Sequence, residues 1–420
     1  MARSWTRLHE YLGAPPGPLN FDMIARAAAD RLAEFDDLDW KEQLPQPPRD
    51  GRWNELAKDV AAMANTRGGL IIYGVRDKTC DLVGIDPDEA NPDQYAQWVR
   101  NHVHPYLADL TFTTFDSPDG ATSVLVADVP ASPMAPHLVY GTAAKDKDQQ
   151  AAVAPYRDRD HTAWMAEHQL ERAYRDRFTR AQHAEDEAQR LLKHAQETAF
   201  VHERKPSAWF FAVARPERPL PRTAPRPASD DAFAAVRTAQ TRSQQLTGNP
   251  TVTGVLSGLL STPRPGLRCW VMQTLTLGVG RQLYAELHHD GSMVLAADLS
   301  GKLADDGFLQ PPENSLLVDQ DYTAGCCCDA VTITQELARC LGVDSALRLT
   351  ASVAAATPTA LVPVTTFSGF KEIPDRARYP HRVQTVSALL RPIDTEDVLR
   401  STAQEVFTDL MNQFGLDPQL

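Results

Sequence analysis

The chain has 420 residues, of which 43% are hydrophobic, enough apolar material for about two domains with cores of their own. Lys and Arg number 42 against 55 Asp and Glu, a formal net charge of −13, and segments 1–163, 164–204 and 205–420 are each acidic. This balance excludes a protein that holds nucleic acid through its overall field, so any such contact needs a local basic patch or a divalent cation.

The compartment can also be predicted. The sequence contains no run of about twenty apolar residues, which excludes a spanning helix, and its N-terminus lacks the apolar core of a secretory signal. Three of the six cysteines are contiguous at 326–328 and the others are scattered, a pattern of neither a disulfide framework nor a C-x-x-C zinc site. We therefore expect a cytoplasmic protein with reduced, mostly structural cysteines.

Helices and short strands alternate over the first 160 residues. After a turn-rich lead, GAPPGPLN, helical spacing runs through FDMIARAAADRLAEF and through WNELAKDVAAMANT, which two glycines stop. LIIYGV predicts a buried strand, LVGI resumes the sheet, PDQYAQWVRNHV predicts a helix, and LTFTTFD and SVLVADV predict a hairpin. We therefore expect a lead and helix over 1–29 and an α+β domain, a mixed sheet with helices, over 30–163.

A long helix is predicted next, because about 161–203 contains neither Pro nor Gly. Its apolar residues recur in steps of three, four or seven, which indicates either a helix packed along its own domain or a strut for a homodimer or between domains. The stripe consists of Tyr174, Phe178, Ala181, Ala188, Leu192, Ala195 and Ala199. As a domain boundary we take 164–204 for this helix.

Residues 205–420 predict a second α+β domain of unknown role. A strand in KPSAWFFAVARP leads to a proline-rich loop at 215–228, and strands in RCWVMQTLTLG, RQLYAELHHDGSMVLAADL and ALRLTASVAA alternate with helices in ITQELARCLG and TEDVLRSTAQEVFTDLMNQF. His288-His289-Asp290, before Gly291, indicates a hairpin turn in preference to a metal site. The histidines of the long helix lack the i, i+4 pairing of a zinc motif.

The stretch EFDDLDWK, followed after a helix and a strand by GVRDKT, carries the residues most suggestive of chemistry. Glu34, Asp39 and Asp77 would come from a helix end, a strand and a turn, and Lys41 shares a strand face with Asp39 because side chains alternate with period two. Carboxylates meeting at one sheet edge suit Mg²⁺ or Mn²⁺. The alternative is a solvated surface ion pair beside an ordinary D-K turn.

The order of these pieces resembles the AlbA-like domain of the Schlafen family. That domain has the pattern Glu, four residues, Glu, an aromatic, Lys; then A-x-x-N-T-x-G-G; then an apolar strand, G-V-x-D-K and V-G-I. Here the pieces are EFDDLDWK, AMANTRGGLIIYGVRDKT and LVGI, and the resemblance continues through VADVPASPMAPHLV and PYRDRDHTAWM. It covers about residues 30–178.

The resemblance implies a nucleic-acid-binding domain that, in some members, cuts structured RNA such as tRNA with a divalent metal. The family's three acids fall on Glu34, Asp39 and Asp77, and its lysine on Lys41; Asp39 is one methylene shorter than the family's Glu. We therefore expect an endoribonuclease that uses Mg²⁺ or Mn²⁺ at this trio and acts on tRNA or other structured RNA, in stress or phage defence.

Other side chains are candidates for contacts with nucleic acid. Arg157 and Arg159 in PYRDRDHT are the first of these, although the adjacent aspartates could neutralise them, and Arg76 and Lys78 flank Asp77. The glycine-rich NTRGG lacks the Walker arrangement, which disfavours ATP binding. Two alternatives to cleavage stay open: a DNA- or RNA-binding transcriptional regulator that does not cut, and a regulator whose second domain senses a ligand.

Overall fold

The computed structural model describes residues 6–14, 17–47, 54–142, 150–220, 226–247, 252, 254–259, 262–275, 281–300, 303, 309–343 and 345–420, with the side chains of 142, 150 and 181 excepted. The chain divides into two compact units, Met1–His183 and Ala184–Leu420. Each combines helices with sheets, which confirms the predicted α+β class. Within these described residues, none of the helices has the length and apolar character needed to cross a membrane.

Unit 1 is built on a four-stranded sheet. Its helices are α1 (Arg7–Leu12), α2 (Phe21–Ala29), α3 (Glu55–Thr66), α4 (Pro92–His102) and the first part of α5 (Glu167–Val201). Its strands are β1 (Leu38–Lys41), β2 (Gly68–Tyr73), β3 (Val103–His104), β4 (Thr111–Asp116), β5 (Ser123–Pro130), β6 (Leu138–Thr142), β7 (Gln150–Val153), β8 (Pro155–Asp158) and β9 (His161–Trp164). The main sheet has the order β1-β2-β5-β4, with only the β1–β2 pair parallel. Two small antiparallel sheets complete the unit: one consists of β3, β6 and β7, and the other of β8 and β9.

The two faces of this sheet have different partners, and β1 shows the alternation most clearly. Leu38 and Trp40 are buried in a core with residues of α1 and α2. Ile71 and Tyr73 of β2 belong to the opposite core, with residues of α3 and α4. Because successive side chains of a strand point to opposite faces, Asp39 and Lys41 face α3. The unusual composition of β1 therefore places two charged groups on the α3 side of the sheet.

Two glycines make the predicted helix-to-strand junction sterically possible. Gly68 has φ of +73°, and a Cβ there would lie 2.4 Å from the Ala131 nitrogen. A Cβ on Gly69 would lie 2.6 Å from the carbonyl oxygen of Asp37. The Leu70 amide donates to that same carbonyl at 3.0 Å. The close approach fixes the segment before β1, which carries the first candidate site residue.

Three predicted elements of unit 1 are wrong in extent. The helix predicted through Phe35 ends at Ala29, because Arg31 has φ of +54°, so Glu34 lies in the segment between α2 and β1 and not at a helix end. LVGI is not a strand, because it contributes only isolated bridges, through Leu82 and Ile85. The long helix begins at Glu167 instead of near residue 161, because HTAW forms β9 and pairs with β8, with Asp158 opposite His161.

Unit 2 is built on a seven-stranded antiparallel sheet. Its helices are the remainder of α5, α6 (Ser229–Leu246), α7 (Gln320–Leu341) and α8 (Glu396–Asn412). Its strands are β10 (Trp209–Pro216), β11 (Arg264–Pro265), β12 (Cys269–Gln273), β13 (Leu283–His288), β14 (Met293–Asp298), β15 (Ser315–Asp319), β16 (Leu347–Ala354), β17 (Ala360–Phe367), β18 (Phe370–Glu372) and β19 (Val386–Leu390). The large sheet has the order β11-β12-β13-β14-β10-β16-β19, and β15, β17 and β18 form a smaller one. Short 3-10 turns occur at Pro87–Glu89 in unit 1 and Leu256–Leu259 in unit 2.

Helices α6, α7 and α8 share one core with the large sheet, and the later part of α5 packs on its other face. Sequence analysis missed α6 and placed the start of α7 too late, since this helix already includes the contiguous cysteines. All six cysteines are free; Cys340 is exposed and the other five are buried. Part of the predicted proline-rich loop, residues 221–225, lies outside the described residues.

The apolar stripe of α5 is buried only in its second half. Leu192, Ala195 and Ala199 pack against the sheet of unit 2, whereas Phe178 is 63% exposed and Tyr174 is half-buried. The side chain of residue 181 lies outside the described part of the chain. Packing along its own domain is therefore wrong at Phe178, whose ring no apolar face covers within the part of the chain that the structure describes. The alternative, a strut for a homodimer or between domains, stays a prediction.

Candidate functional site

An open pocket beside β1 collects most of the charged residues singled out in the sequence. Six carboxylates and three cationic side chains line it, an excess of negative charge in a place proposed to meet phosphate. The carboxylates are Glu34, Asp39, Glu42, Asp59, Asp77 and Asp160, and the cations are Lys41, Lys58 and Arg157. Arg76, Lys78 and Arg159 are not among its lining residues.

Asp39 is the most enclosed of these acids, with 2% of its surface exposed. Its Oδ2 lies 2.9 Å from Lys41 Nζ, and its Oδ1 lies 3.6 Å from Arg157 Nη1. Despite the short distance, Oδ2 has no well-aligned hydrogen bond. Lys41 and Arg157 thus neutralise the charge of Asp39, but its buried Oδ2 still has lone pairs that accept no hydrogen bond.

Glu34 is held against Asp39 by the backbone of β1. Its Oε1 accepts a hydrogen bond from the Trp40 amide at 2.8 Å, and the Trp40 indole Nε1–H donates to the Leu32 carbonyl at 2.8 Å. Burial, then the negative charge of Asp39, raise the pKa of Glu34 to about 7, with a smaller contribution from Asp77 and against the effect of the Trp40 amide. The charges of both other predicted acids therefore act on Glu34.

Asp77 lies on an exposed turn between β2 and the bridge at Leu82. Its carbonyl accepts from the Thr79 amide at 2.8 Å, which closes the turn. Arg76 points to Glu42 at 3.0 Å and to Asp81 at 3.6 Å, and Lys78 is exposed with φ of +66°. The D-K turn predicted from the sequence thus brings only its aspartate to the pocket.

Asp59 of α3 belongs to the site although sequence analysis did not select it. Its carboxylate lies 3.6 Å from Lys41 and 3.5 Å from Lys58. Burial raises the pKa of Asp59; Lys41 opposes the rise and Asp39 adds to it. The sequence signal that could have revealed Asp59 is its charge within the mostly apolar run LAKDVAAMA, whose residues are nearly all buried.

Lys41 lies between two carboxylates that come from different elements. Burial alone would lower the pKa of Lys41, but the charges of Asp59, Asp39 and Glu34 together raise it above the ordinary lysine value. Its side chain is 37% exposed, so the ammonium group stays charged and faces the open side of the pocket. It is placed to meet an anion there.

The motif residues at the end of α3 hold β8 in position. Asn65 Nδ2 donates to the carbonyls of His137 at 2.9 Å and Pro155 at 2.8 Å. The Thr66 hydroxyl accepts from the Arg157 amide at 2.9 Å and donates to the Ala62 carbonyl at 2.9 Å. Asn65 thus joins the last turn of α3 to two separate segments, and β8 presents Arg157 to Asp39.

The two arginines of PYRDRDHT have different surroundings. Arg157 is 5% exposed, and one of its guanidinium nitrogens donates to the Phe35 carbonyl at 3.4 Å. Arg159 is exposed, and its backbone amide donates to Asp36 at 2.6 Å. Arg157 therefore lies behind Asp39, whereas Arg159 is on the surface; their contact with nucleic acid stays a prediction.

The acid trio shares a pocket without forming a tight cage. Among the described residues, three ligand-type atoms that all lie within 4.8 Å of one another occur only at Cys269, Glu286 and His288, in unit 2. Glu34, Asp39 and Asp77 do not reach that spacing. Mg²⁺ usually keeps several waters and takes one or two carboxylates, so a hydrated ion would not require all three acids in direct contact.

The fold and the pocket define an α+β domain with a carboxylate-lined site at the edge of its sheet. Residues 34–164 match the family model described as Schlafen, AlbA_2. This segment is a Schlafen AlbA_2 domain, which confirms the resemblance seen in the sequence, and it supports a nucleic-acid-binding role for the protein. Residues 165–420 lie outside the match.

The crystal structure of the DIP2311 protein from Corynebacterium diphtheriae is similar to part of the chain, with 24% sequence identity and a TM-score of 0.21. The similarity covers 31% of this chain and 22% of that one. No curated protein matches the chain.

Proposed function

We propose that the Schlafen AlbA_2 domain is a divalent-metal-dependent endoribonuclease that acts on tRNA or other structured RNA. The observation that carries the proposal is the charge of the pocket, where six carboxylates face three cations. Phosphate is repelled by such a site unless a cation offsets the excess, and hard oxygen donors select Mg²⁺ or Mn²⁺.

The donor atoms fit such an ion. Asp39 Oδ2 is buried without a well-formed hydrogen bond. Burial and then the negative charge of Asp39 raise the pKa of Glu34 to about 7, which reflects repulsion between the two carboxylates. A cation relieves both conditions, because it supplies a partner to the oxygen and removes the repulsion between the carboxylates. Glu34, Asp39 and Asp77 would hold it.

The bound metal would polarise a phosphoryl oxygen and lower the pKa of a coordinated water. The chain's own contribution is positioning and charge. Arg157 and Lys41 fix the Asp39 carboxylate from two sides. The Lys41 ammonium, with its exposed end toward the opening, stabilises the negative charge that grows on the phosphate as its bond breaks.

A second candidate function is a nucleic-acid-binding regulator that does not cut. It is favoured by the ion pairs of Asp39, which already neutralise the acid with Lys41 and Arg157, and by the wider spacing of the trio. In that function Lys41 is one phosphate contact among several, and the target is DNA or RNA.

Cleavage assays of matched variants separate the two functions. Purified full-length protein is incubated with total tRNA in Mn²⁺, Mg²⁺ or EDTA, and fragments are resolved on a denaturing gel. Asp39→Asn should reduce cleavage at least about 100-fold because it weakens a metal ligand. Asp160→Asn is the control, since Asp160 lines the same pocket but is 72% exposed and outside the trio.

The nuclease proposal fails if the wild-type protein retards tRNA on a native gel but leaves it intact in every metal. It also fails if Asp39→Asn, shown to be folded by circular dichroism, cuts as fast as the wild type.

A further inference from the structure

A second cluster of metal-ligating side chains lies in unit 2, among residues outside the segment 34–164 that matches the Schlafen AlbA_2 model. Cys269, Glu286 and His288 each offer one ligand atom, and the three atoms lie within 4.8 Å of one another. Cys269 and Glu286 are buried, with 4% and 6% of their surfaces exposed. His288 is partly accessible, with 20% of its side chain exposed.

Strand pairing explains why Cys269 meets Glu286 and His288, which lie seventeen or more positions later in the sequence. Cys269 of β12 is directly opposite His288 of β13, and Glu286 is two residues before His288 on the same strand. Side chains two apart lie on one face of a sheet. Val271 lies two residues after Cys269 on β12, and Tyr284 lies two residues before Glu286 on β13. Both pack in the core covered by α5, so all three ligand-type side chains are on the α5 face.

Outer contacts hold the carboxylate in one orientation. Glu286 Oε1 lies 3.0 Å from Nε2 of His194, on α5, and accepts a short hydrogen bond from the Tyr284 hydroxyl. Glu286 Oε2 lies 2.8 Å from His288 Nε2. Because Oε1 has two partners outside the cluster, Oε2 is the oxygen available beside His288. Such second contacts are typical around metal ligands and fix their geometry.

We propose that Cys269, Glu286 and His288 bind one zinc ion, through Sγ, Oε2 and Nε2, with the fourth position taken by water. Sulfur, nitrogen and carboxylate donors together suit Zn²⁺, whereas Mg²⁺ and Ca²⁺ prefer sites made only of oxygen. A thiolate and a carboxylate also balance the charge of the ion, which matters in a site with two buried ligands.

Neighbouring ligand atoms around tetrahedral zinc lie about 3.3–3.7 Å apart, given bond lengths of about 2.0–2.3 Å. The 2.8 Å distance between Glu286 Oε2 and His288 Nε2 is shorter than this, so these two side chains have to move apart by somewhat less than about 1 Å to share an ion. Sequence spacing could not reveal the site, since it depends on the register of β12 and β13.

Cobalt substitution tests the proposal on the full-length protein after removal of metal with EDTA. One equivalent of Co²⁺ should produce a thiolate-to-cobalt charge-transfer band and strong visible bands typical of four-coordinate cobalt, and Zn²⁺ should abolish them. Cys269→Ser should lose the charge-transfer band, whereas Cys340→Ser, which removes an exposed thiol, should keep it. His288→Ala should lower zinc affinity at least about 100-fold, since even outer contacts are worth about 10- to 100-fold.

X-ray absorption of the zinc-loaded wild type does not depend on the folding of any variant. It should show one sulfur at about 2.3 Å together with nitrogen and oxygen neighbours. Wild-type protein that retains no zinc after dialysis and gives no cobalt band overturns the proposal, as does a spectrum without sulfur. Asp39→Asn should keep the cobalt band, because the pocket of unit 1 contains no thiol.

Discussion

Replacing Lys41 with alanine separates the two functions considered for the Schlafen AlbA_2 domain. In a nuclease, the Lys41 ammonium stabilises charge that develops only as the phosphate bond breaks, so its loss should lower turnover about 100-fold or more and change RNA affinity little. In a binding module, its loss should weaken binding modestly and reduce the salt dependence by about one unit of slope.

The same substitution has a stability cost that can be bounded from the contacts. Removal of one partner from a fully buried ion pair costs about 3–5 kcal/mol. Here 37% of the Lys41 side chain is exposed, and Arg157 remains 3.6 Å from Asp39, so solvent and the second cation reduce the loss. We expect about 1–2 kcal/mol in the free energy of unfolding, small enough for the variant to remain folded.

The assay compares wild type, Lys41→Ala and Lys58→Ala for tRNA cleavage in Mn²⁺ and for binding across a range of salt. Lys58 is the matched control, because it lines the pocket and contacts Asp59 at 3.5 Å without an ion pair to Asp39. Equal turnover in Lys41→Ala and wild type, with both folded, would refute the role given to this ammonium group.

Three further outcomes follow from contacts elsewhere in the described structure. Burial raises the pKa of Asp329 to about 6 from 3.8, so at this group the native state binds more protons than the unfolded state between these values. The contribution of Asp329 to the free energy of unfolding should therefore fall by about 3 kcal/mol as pH rises through that window. In urea titrations, the wild type should lose more stability over this range than Asp329→Asn. Asn65→Ala should cost about 2–4 kcal/mol in a denaturant titration, because it leaves the His137 and Pro155 backbone groups unpaired; a loss under 1 kcal/mol would contradict this. Phe178→Ser should change the melting temperature little, since the ring is 63% exposed, and a large drop would mean that another surface covers it.

Much of unit 1 could be predicted because its signals are local. The alternation in LDWK places Asp39 and Lys41 on one face, and the two glycines after Thr66 end a helix and begin a strand, as observed. HTAW forms β9 although the sequence predicts the start of the long helix there, because an absence of Pro and Gly permits a helix without requiring one. The turn at Arg159, with φ of +59°, pairs this segment with β8.

The parts that could not be predicted depend on tertiary packing. Asp59 joins the site only because α3 lies over the charged face of β1, and one aspartate in a helix is commonplace. Arg157 has the composition of a surface phosphate contact, yet β8 buries it at 5% exposure. Cys269 and His288 meet through strand register, which single-sequence periodicity does not encode.

The most direct test of the central claim is a denaturing gel of total tRNA incubated with the purified wild-type chain, with Mn²⁺ and with excess EDTA. The charge of the pocket and the buried oxygen of Asp39 predict discrete tRNA fragments in Mn²⁺ and intact tRNA in EDTA. Intact tRNA in both lanes, from protein that binds tRNA on a native gel, would contradict metal-dependent cleavage and leave the non-cleaving regulator.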